Sequence, residues 1–109
     1  MERIQEGTLP HGFEYKGHLQ TEFKMREVGN AGELFDAEIE AGGVENQLAF
    51  NGALIARQLL SIGDCKGPFS IEQIRKMKPA DFQALRVAQG KLNSVQPDAE
   101  NEANTSGSK

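Results

Sequence analysis

Residues 8–27 alternate between apolar and polar side chains, and this pattern constrains the fold more than any other feature of the sequence. Successive side chains of a β-strand point to opposite faces, so a period of two predicts strands with one solvated face. Lys16-Gly17-His18 interrupts the pattern and predicts the turn of a β-hairpin. The predicted core face holds Leu19, Thr21, Phe23 and Met25, and the solvated face holds Gln20, Glu22, Lys24 and Arg26.

After Gly29 the apolar period becomes that of a helix. Asn30 followed three residues later by Glu33 has the form of a capping box, and Gly42-Gly43 predicts the end of that helix. A second helix is predicted from about Glu45 to Ile62, with Gly63 as its stop. The predicted stripes are Leu34, Phe35, Ile39 and Ala41 in the first helix, and Leu48, Ile55, Leu59 and Ile62, widened by Phe50 and Leu54, in the second.

Two further helices are predicted after a connecting loop at residues 63–70, which Pro68 keeps from being helical. Ser70 with Gln73 three residues later predicts the start of a short helix, and Pro79 suits the first position of a last helix over residues 79–92. The apolar residues of these helices are Ile71, Ile74 and Met77, then Phe82, Leu85, Ala88 and Leu92 with Val87 at the edge.

These elements predict an α+β fold in which a small N-terminal β-hairpin packs on a cluster of about four α-helices. The last 16 of the 109 residues read SVQPDAENEANTSGSK and contain no large apolar side chain. Such a segment cannot bury enough surface to fold. We therefore expect a single domain over residues 1–93 and a disordered polar tail over residues 94–109.

Composition argues against several classes of protein. The net charge is -4, whereas proteins that coat DNA or RNA need a clustered surplus of Lys and Arg. The one cysteine cannot form an internal disulfide, and no run approaches the roughly 18 apolar residues of a membrane-spanning helix. The sequence also begins without the apolar stretch of a signal peptide. We expect a soluble cytoplasmic protein without nucleic-acid or membrane partners.

Charge is segregated along the chain. Residues 27–45 contain six carboxylates and no Lys or Arg, while residues 57–91 contain seven Lys and Arg against three Asp and Glu. Each set can be a solvated helix face. The alternative is that the acidic and basic faces are complementary, within the fold or between copies, and steer the docking of a partner.

Catalytic and metal-binding signatures are weak. The sequence has no phosphate-binding loop, dinucleotide fingerprint, nucleophile elbow or zinc-protease motif. His11 and His18 flank the first strand, but two imidazoles without a third ligand make a poor metal site. Cys65 beside Lys66 lacks a neighbouring His or resolving Cys, so we interpret it as an incidental thiol. We expect no enzymatic activity, cofactor or metal.

The ordered elements resemble the tail assembly chaperone family of contractile-tailed phages, which contains the E-type proteins of P2-like phages and their Mu-like counterparts. In that family a strand with a Leu/Met-Arg-Glu-Pro/Val step leads into an acidic helix containing Gly-x-Leu, and an Asp-Phe/Tyr-x-x-Leu helix closes the domain. The corresponding segments here are Met25-Arg26-Glu27-Val28, Gly32-Glu33-Leu34 and Asp81-Phe82-Gln83-Ala84-Leu85. The resemblance covers residues 8–93, and Val28 stands where proline is common.

The resemblance implies a non-enzymatic protein made in the host cytoplasm during tail morphogenesis. It would coat the long, largely helical tape measure protein until tail tube subunits replace it. Members often occur with a longer form made by a translational frameshift, and this longer form is one implied partner. The other implied partners are the tape measure protein, the tail tube protein and further copies of the chain.

A groove for such a client is predicted from the apolar stripes. Two other functions stay open: a minor structural component of the tail, and a small DNA-binding regulator that uses the basic helices of residues 70–92. The predicted partner-binding residues are Leu48, Ile55, Leu59, Phe82 and Leu85 in the groove, with Leu34 and Phe35 at its edge.

Overall fold

A computed structural model describes residues 3–43 and 45–93, and the predicted tail at residues 94–109 lies outside the described residues. The elements are β1 (Ile4–Tyr15), β2 (His18–Arg26), α1 (Ala31–Ala41), α2 (Gln47–Gln58), β3 (Leu59–Ile62), β4 (Cys65–Lys66), α3 (Ile71–Arg75) and α4 (Pro79–Asn93). The four strands form one antiparallel sheet in the order β1-β2-β3-β4. The predicted α+β fold, with an N-terminal hairpin and four helices, is confirmed.

The N-terminal hairpin turns where the sequence predicts. Its strands pair from Ile4 opposite Arg26 to Tyr15 opposite His18. Lys16 and Gly17 at the turn both have positive φ angles, 52° and 80°. Positive φ at both central residues is the mark of the type I′ turn, whose twist matches that of the flanking strands.

The buried face of β2 differs from the prediction at the end near the turn. Phe23 and Met25 are buried as predicted, but Leu19 is exposed and Gln20 is buried. The residue that Leu19 approaches on β1 is Gly12, which has no side chain to cover it. Gln20 is buried because its Oε1 accepts a hydrogen bond of 3.0 Å from the backbone N–H of Asp64, which follows β3.

Local signals place α1, α3 and α4 as predicted. The Asn30 side chain accepts a hydrogen bond from the backbone N–H of Glu33, and α1 ends at Gly42 in a left-handed conformation. Ser70 and Gln73 form a complete capping box at the start of α3. Each of these caps satisfies backbone groups that a helix end leaves without an intrahelical partner.

The second predicted helix is too long. α2 ends at Gln58, and Leu59 to Ile62 form β3 instead, so that Leu59 lies opposite Met25 and Ile62 opposite Phe23. A short apolar run fits a helix or a strand equally well by periodicity. The strand forms because it pairs with the free edge of β2, a partner distant in sequence.

The predicted loop at residues 63–70 also contains regular structure. Gly63 is not a helix stop but part of the tight turn that leads from β3 to β4, and Cys65 is a buried strand residue rather than a loop thiol. β4 is short and completes the far edge of the sheet.

The main hydrophobic cluster lies between the sheet and the helices. It brings together Phe23 and Met25 from β2, Ile55 from α2, Ile62 from β3 and Leu85 from α4, together with other buried side chains. A second, smaller cluster contains Ala37 of α1 with Ala53 and Leu54 of α2. α1 is therefore attached to α2 through the smaller cluster and not through the main one.

Buried amides connect α2, α4 and β2. The Gln89 side chain donates hydrogen bonds to Gln58 Oε1 at 3.1 Å and to the Asn51 carbonyl at 3.3 Å. Gln58 in turn donates to the Arg26 carbonyl at 3.0 Å, and both glutamines are buried. Because these amides are satisfied by one another and by backbone groups, they fix how the helices cross the sheet.

Replacing Gln58 by Leu is expected to lower the free energy of unfolding by about 1–3 kcal/mol. The substitution nearly preserves volume but leaves the Arg26 carbonyl and the Gln89 amide without their buried partner. Chemical denaturation of the purified protein measures the change.

The matched control is Gln83→Leu, at an exposed position of α4. It is expected to change the free energy of unfolding by less than about 0.5 kcal/mol. Equal effects of the two substitutions would contradict a structural role for the buried amides.

Candidate functional site

An open groove of about 760 Å³ lies between α2, α3 and the start of α4. Most of its lining is apolar, and its two charged side chains are Glu45 and Arg75. The apolar lining residues are Leu48, Ala49, Gly52, Ile71, Ile74, Met77, Pro79 and Phe82. An apolar groove of this kind suits the apolar face of an amphipathic helix.

The floor of the groove is set by α2. Leu48 and Gly52 are one helical turn apart and therefore lie on the same face of α2. A Cβ atom at Gly52 would lie 3.7 Å from Ile74 and 3.8 Å from Phe82. The glycine thus allows Ile74 and Phe82 to lie close to the backbone of α2.

The opposite wall depends on how α3 and α4 begin. In the capping box of α3 the Ser70 N–H donates to Gln73 Oε1 at 2.8 Å, and the Gln73 N–H donates to Ser70 Oγ at 3.3 Å. This cap fixes Ile71 and Ile74, which are three residues apart and share a helix face. Pro79 begins α4 and places Phe82 at the groove one turn later.

Two of the seven predicted partner-binding residues line this groove, namely Leu48 and Phe82. Leu48 is 58% exposed. Ile55, Leu59 and Leu85 belong instead to the main core, with exposures of 0%, 3% and 0%. Their assignment to a surface groove is corrected: Leu59 is in β3, and Ile55 and Leu85 pack against the other members of that core.

Leu34 and Phe35 do not border the groove, since no residue of α1 lines it. They form with Ile39 an exposed apolar surface on α1, which we call the α1 patch. Phe35 is 63% exposed and Ile39 77% exposed. The sequence predicts an apolar stripe that includes Leu34, Phe35 and Ile39, and the structure leaves these three side chains exposed, whereas the buried residue of α1 is Ala37.

The apolar groove residues that were missed are Ala49, Pro79, Gly52, Ile71, Ile74 and Met77. The sequence marks the last three as apolar at helical spacing, which indicates one face but not whether that face is covered. Gly52 within a helical pattern is a usable signal, because a glycine in a helix interior often reflects close packing or an open surface.

A bidentate salt bridge between Arg26 of β2 and Glu33 of α1, which we call the Arg26 fork, helps to hold α1 in place. The Arg26 guanidinium donates to the two carboxylate oxygens of Glu33 at 2.8 Å and 3.1 Å, and also to the Arg57 carbonyl at 3.0 Å. Glu33 additionally accepts from the Gly29 N–H at 2.9 Å. The hydrogen bond from Arg26 holds the pKa of Glu33 below its ordinary value, against the opposing effect of burial.

A second ion pair supports the same helix, because Arg57 of α2 contacts Glu40 at 3.1 Å. With Glu33 and Glu40 engaged in this way, Asp36 and Glu38 are the acidic residues of α1 without an ion pair among the described residues. On the basic side, Arg75 lines the groove, and Lys76 and Lys78 are exposed beside it. The predicted segregation of charge thus gives an acidic α1, whereas the groove lining carries one acidic and one basic side chain.

Other candidate sites do not come together. Within residues 3–43 and 45–93, no group of three or more His, Cys, Asp or Glu side chains is arranged to hold a metal ion. In the same part of the chain, no helix has the length and apolar character that spanning a membrane requires.

The comparisons with known proteins identify the class. The chain belongs to the family of phage tail assembly proteins gp41, whose model matches residues 9–107. The predicted resemblance to a phage tail assembly family is therefore confirmed.

Two similar proteins come from Escherichia phage Mu. The probable tail assembly protein gp41 is 30% identical over 96 residues, covering 79% of this chain and 65% of that protein. The probable tail assembly protein FS-gp41 is also 30% identical over 96 residues, but only 50% of its length is covered. The chain therefore spans half to two thirds of these relatives. No solved structure matches it significantly.

Replacing Glu33 by Gln tests the fork through its pH dependence. Because the pKa of Glu33 is lowered in the folded state, its contribution to stability is present above about pH 4.5 and is lost as the pH falls further. The variant is expected to be less stable than the natural chain by about 1 kcal/mol at pH 7, as for a partly exposed charged hydrogen bond. The difference should shrink below the ordinary pKa of Glu33.

Thermal or chemical unfolding between neutral and acidic pH measures this difference. Glu38→Gln, on the same helix but outside any described ion pair, is the control and should show no comparable loss at pH 7. A stability difference for Glu33→Gln that is independent of pH would contradict the role of the fork.

Proposed function

We propose that the chain is a tail assembly chaperone that binds the tape measure protein during tail morphogenesis in the host cytoplasm. It keeps this client soluble and extended until tail tube subunits replace it. The role is non-enzymatic, needs no cofactor and involves neither nucleic acid nor membrane. The tail tube protein and a longer form of the chain are further proposed partners.

The observation that carries this proposal is the apolar groove between α2, α3 and α4 in a protein of a tail assembly family. A long amphipathic helix exposes an apolar stripe that promotes aggregation unless it is covered. Side chains four residues apart on such a stripe can enter a groove with Gly52 on its floor and Leu48 and Phe82 at its sides.

The size of the domain also suits a displaceable chaperone. A helix rises about 1.5 Å per residue, so a groove formed by a few helical turns covers only a short part of a long client. Several copies bound along one client would hold it by avidity, although each copy binds weakly. Weak individual contacts allow the tube subunits to displace the copies one by one.

The charges of the groove support binding rather than chemistry. Arg75 and Glu45 are the charged side chains of the lining. Both are exposed, as is usual for charged residues at the polar rim of a binding surface. They can orient a client helix that carries acidic and basic residues beside its apolar stripe. The groove offers no nucleophile with an adjacent base among its lining residues.

Co-expression with the tape measure protein from the same phage tests the proposal. The natural chain is expected to increase the soluble fraction of the tape measure protein and to co-purify with it. Leu48→Asp is expected to abolish both effects, because it places a charge on the exposed apolar wall of the groove. Solubility and pull-down of the client are the measurements.

Val87→Asp is the matched control, since Val87 is half exposed on α4 but does not line the groove. It should retain client binding, and circular dichroism should show that both variants are folded. If the natural chain neither solubilises nor retains the client, the chaperone proposal is wrong. Presence of the chain at fixed stoichiometry in purified tails would instead support a minor structural component.

A further inference from the structure

We propose that the α1 patch docks an amphipathic helix of another protein, whose apolar stripe is flanked by Lys or Arg on both sides. The patch consists of Leu34, Phe35 and Ile39, none of which lines the groove. The inference therefore does not depend on the chaperone role that we propose for the groove.

The first observation is the arrangement of side chains around α1. Successive helix residues are about 100° apart, which places Phe35 and Ile39 together on the side opposite the buried Ala37. The same spacing places Asp36 on one flank of this exposed pair and Glu38 on the other, each about 80° from its centre. The outer face of α1 is thus an apolar ridge with a carboxylate on each side.

The second observation is that no cation balances these two carboxylates. Residues 27–45 contain no Lys or Arg. The two arginines that reach α1 from other elements form ion pairs with Glu33 and Glu40. Asp36 and Glu38 form no ion pair within the part of the chain that the structure describes. The charge beside the apolar ridge is therefore negative on both flanks.

The third observation is the position of Glu38 in the last turn of α1. That turn contains no basic residue, and a carboxylate there is unfavourable because it lies at the negative end of the helix dipole. Glu40 in the same turn has Arg57 as its counter-ion, whereas Glu38 has no described ion pair. A Lys or Arg of a bound partner supplies this counter-charge.

A helix suits the shape of this surface. Phe35 and Ile39 form a ridge along the four-residue row of α1, and such ridges pack into the grooves between the side chains of a facing helix. A helix that lies along the ridge brings both of its own flanks close to Asp36 and Glu38. Because both carboxylates need a cation, the requirement is the same for either direction of the bound helix.

A second copy of the chain does not offer this chemistry. Two α1 patches would place like charges against each other. The groove has one acidic and one basic lining residue, and Glu72 of α3 is also exposed, so its charge does not match a ridge that is acidic on both flanks. Outside α1, the exposed large apolar residues among those described occur singly on five elements: Ile4, Leu19, Leu48, Leu60 and Val87.

Two synthetic helical peptides of about 20 residues, with the same Leu stripe, test the proposal. One carries Lys on both flanks of the stripe, and the other carries Glu at the same positions. The full-length chain is expected to bind the Lys peptide at least about tenfold more tightly, as measured by fluorescence anisotropy. Added salt should weaken this complex because the contact is charged. Equal affinity for the two peptides would overturn the proposal.

Two double variants locate the contact on α1. Phe35→Ser with Ile39→Ser removes the apolar ridge and should weaken binding of the Lys peptide at least about tenfold. Asp36→Lys with Glu38→Lys should reverse the preference, so that the Glu peptide binds more tightly. Circular dichroism verifies that both variants fold. If the charge-reversed variant does not fold, Asp36→Asn with Glu38→Gln takes its place and should abolish the preference.

The matched control for charge is Glu14→Lys with Glu22→Lys, at exposed positions of the hairpin. It changes the net charge by the same amount and should still prefer the Lys peptide. If it responds as the α1 variant does, the preference comes from net charge and the proposal is wrong. Leu48→Asp, which blocks the groove, should bind the Lys peptide normally. A loss of binding in Leu48→Asp would place the peptide in the groove and overturn the proposal.

The remaining occupants are tested with the chain alone and with anionic lipid vesicles. Self-association in sedimentation that Phe35→Ser with Ile39→Ser removes would show a second copy on the patch and overturn the proposal. Vesicle binding that the same variant removes would overturn it in favour of a membrane. No tape measure protein is present in these measurements, so their failure is distinguishable from failure of the chaperone experiment.

Discussion

The pairing of β3 with β2 is the contact on which the rest of the fold depends. A two-stranded hairpin is marginal in water, and its inner edge remains unpaired until Leu59 to Ile62 add a third strand. β3 begins at the residue that follows the last residue of α2, so the strand also fixes where α2 crosses the sheet. Gln58 is then placed to bond the Arg26 carbonyl, and the N-terminal part of α2 is left to line the groove.

Local chemistry made much of this fold predictable. The caps at Asn30 and Ser70 and the proline that begins α4 depend on neighbouring residues, and each lies where the sequence predicts. The alternation of β2 is as predicted at Phe23 and Met25 but not at Leu19 and Gln20. β3 was not predicted, because an apolar run after a helix continues the helical pattern as readily as it begins a strand. The deciding partner lies about 35 residues earlier in the chain, and no local pattern reveals it.

The dependence on tertiary contacts also explains why the sequence predicted only part of the groove lining. Apolar stripes identified Leu48 and Phe82, which line the groove, together with Ile55, Leu59 and Leu85, which are buried. A stripe shows which residues share a helix face, but whether that face meets the sheet or solvent depends on tertiary packing. Phe35 and Ile39 illustrate the converse, since a stripe typical of a core helix lies on the outside of α1.

The two separate hydrophobic clusters have a consequence for how the molecule opens. α1 contributes Ala37 to the smaller cluster and no side chain to the main one. An alanine buries little area, so the apolar contact of α1 is small, and the Arg26 fork and the Glu40 ion pair add to it. Detachment of α1 therefore leaves the sheet, α4 and the main core intact. We therefore expect α1 to be a subglobal unfolding unit, whose amide hydrogens exchange at a lower free energy than those of β2.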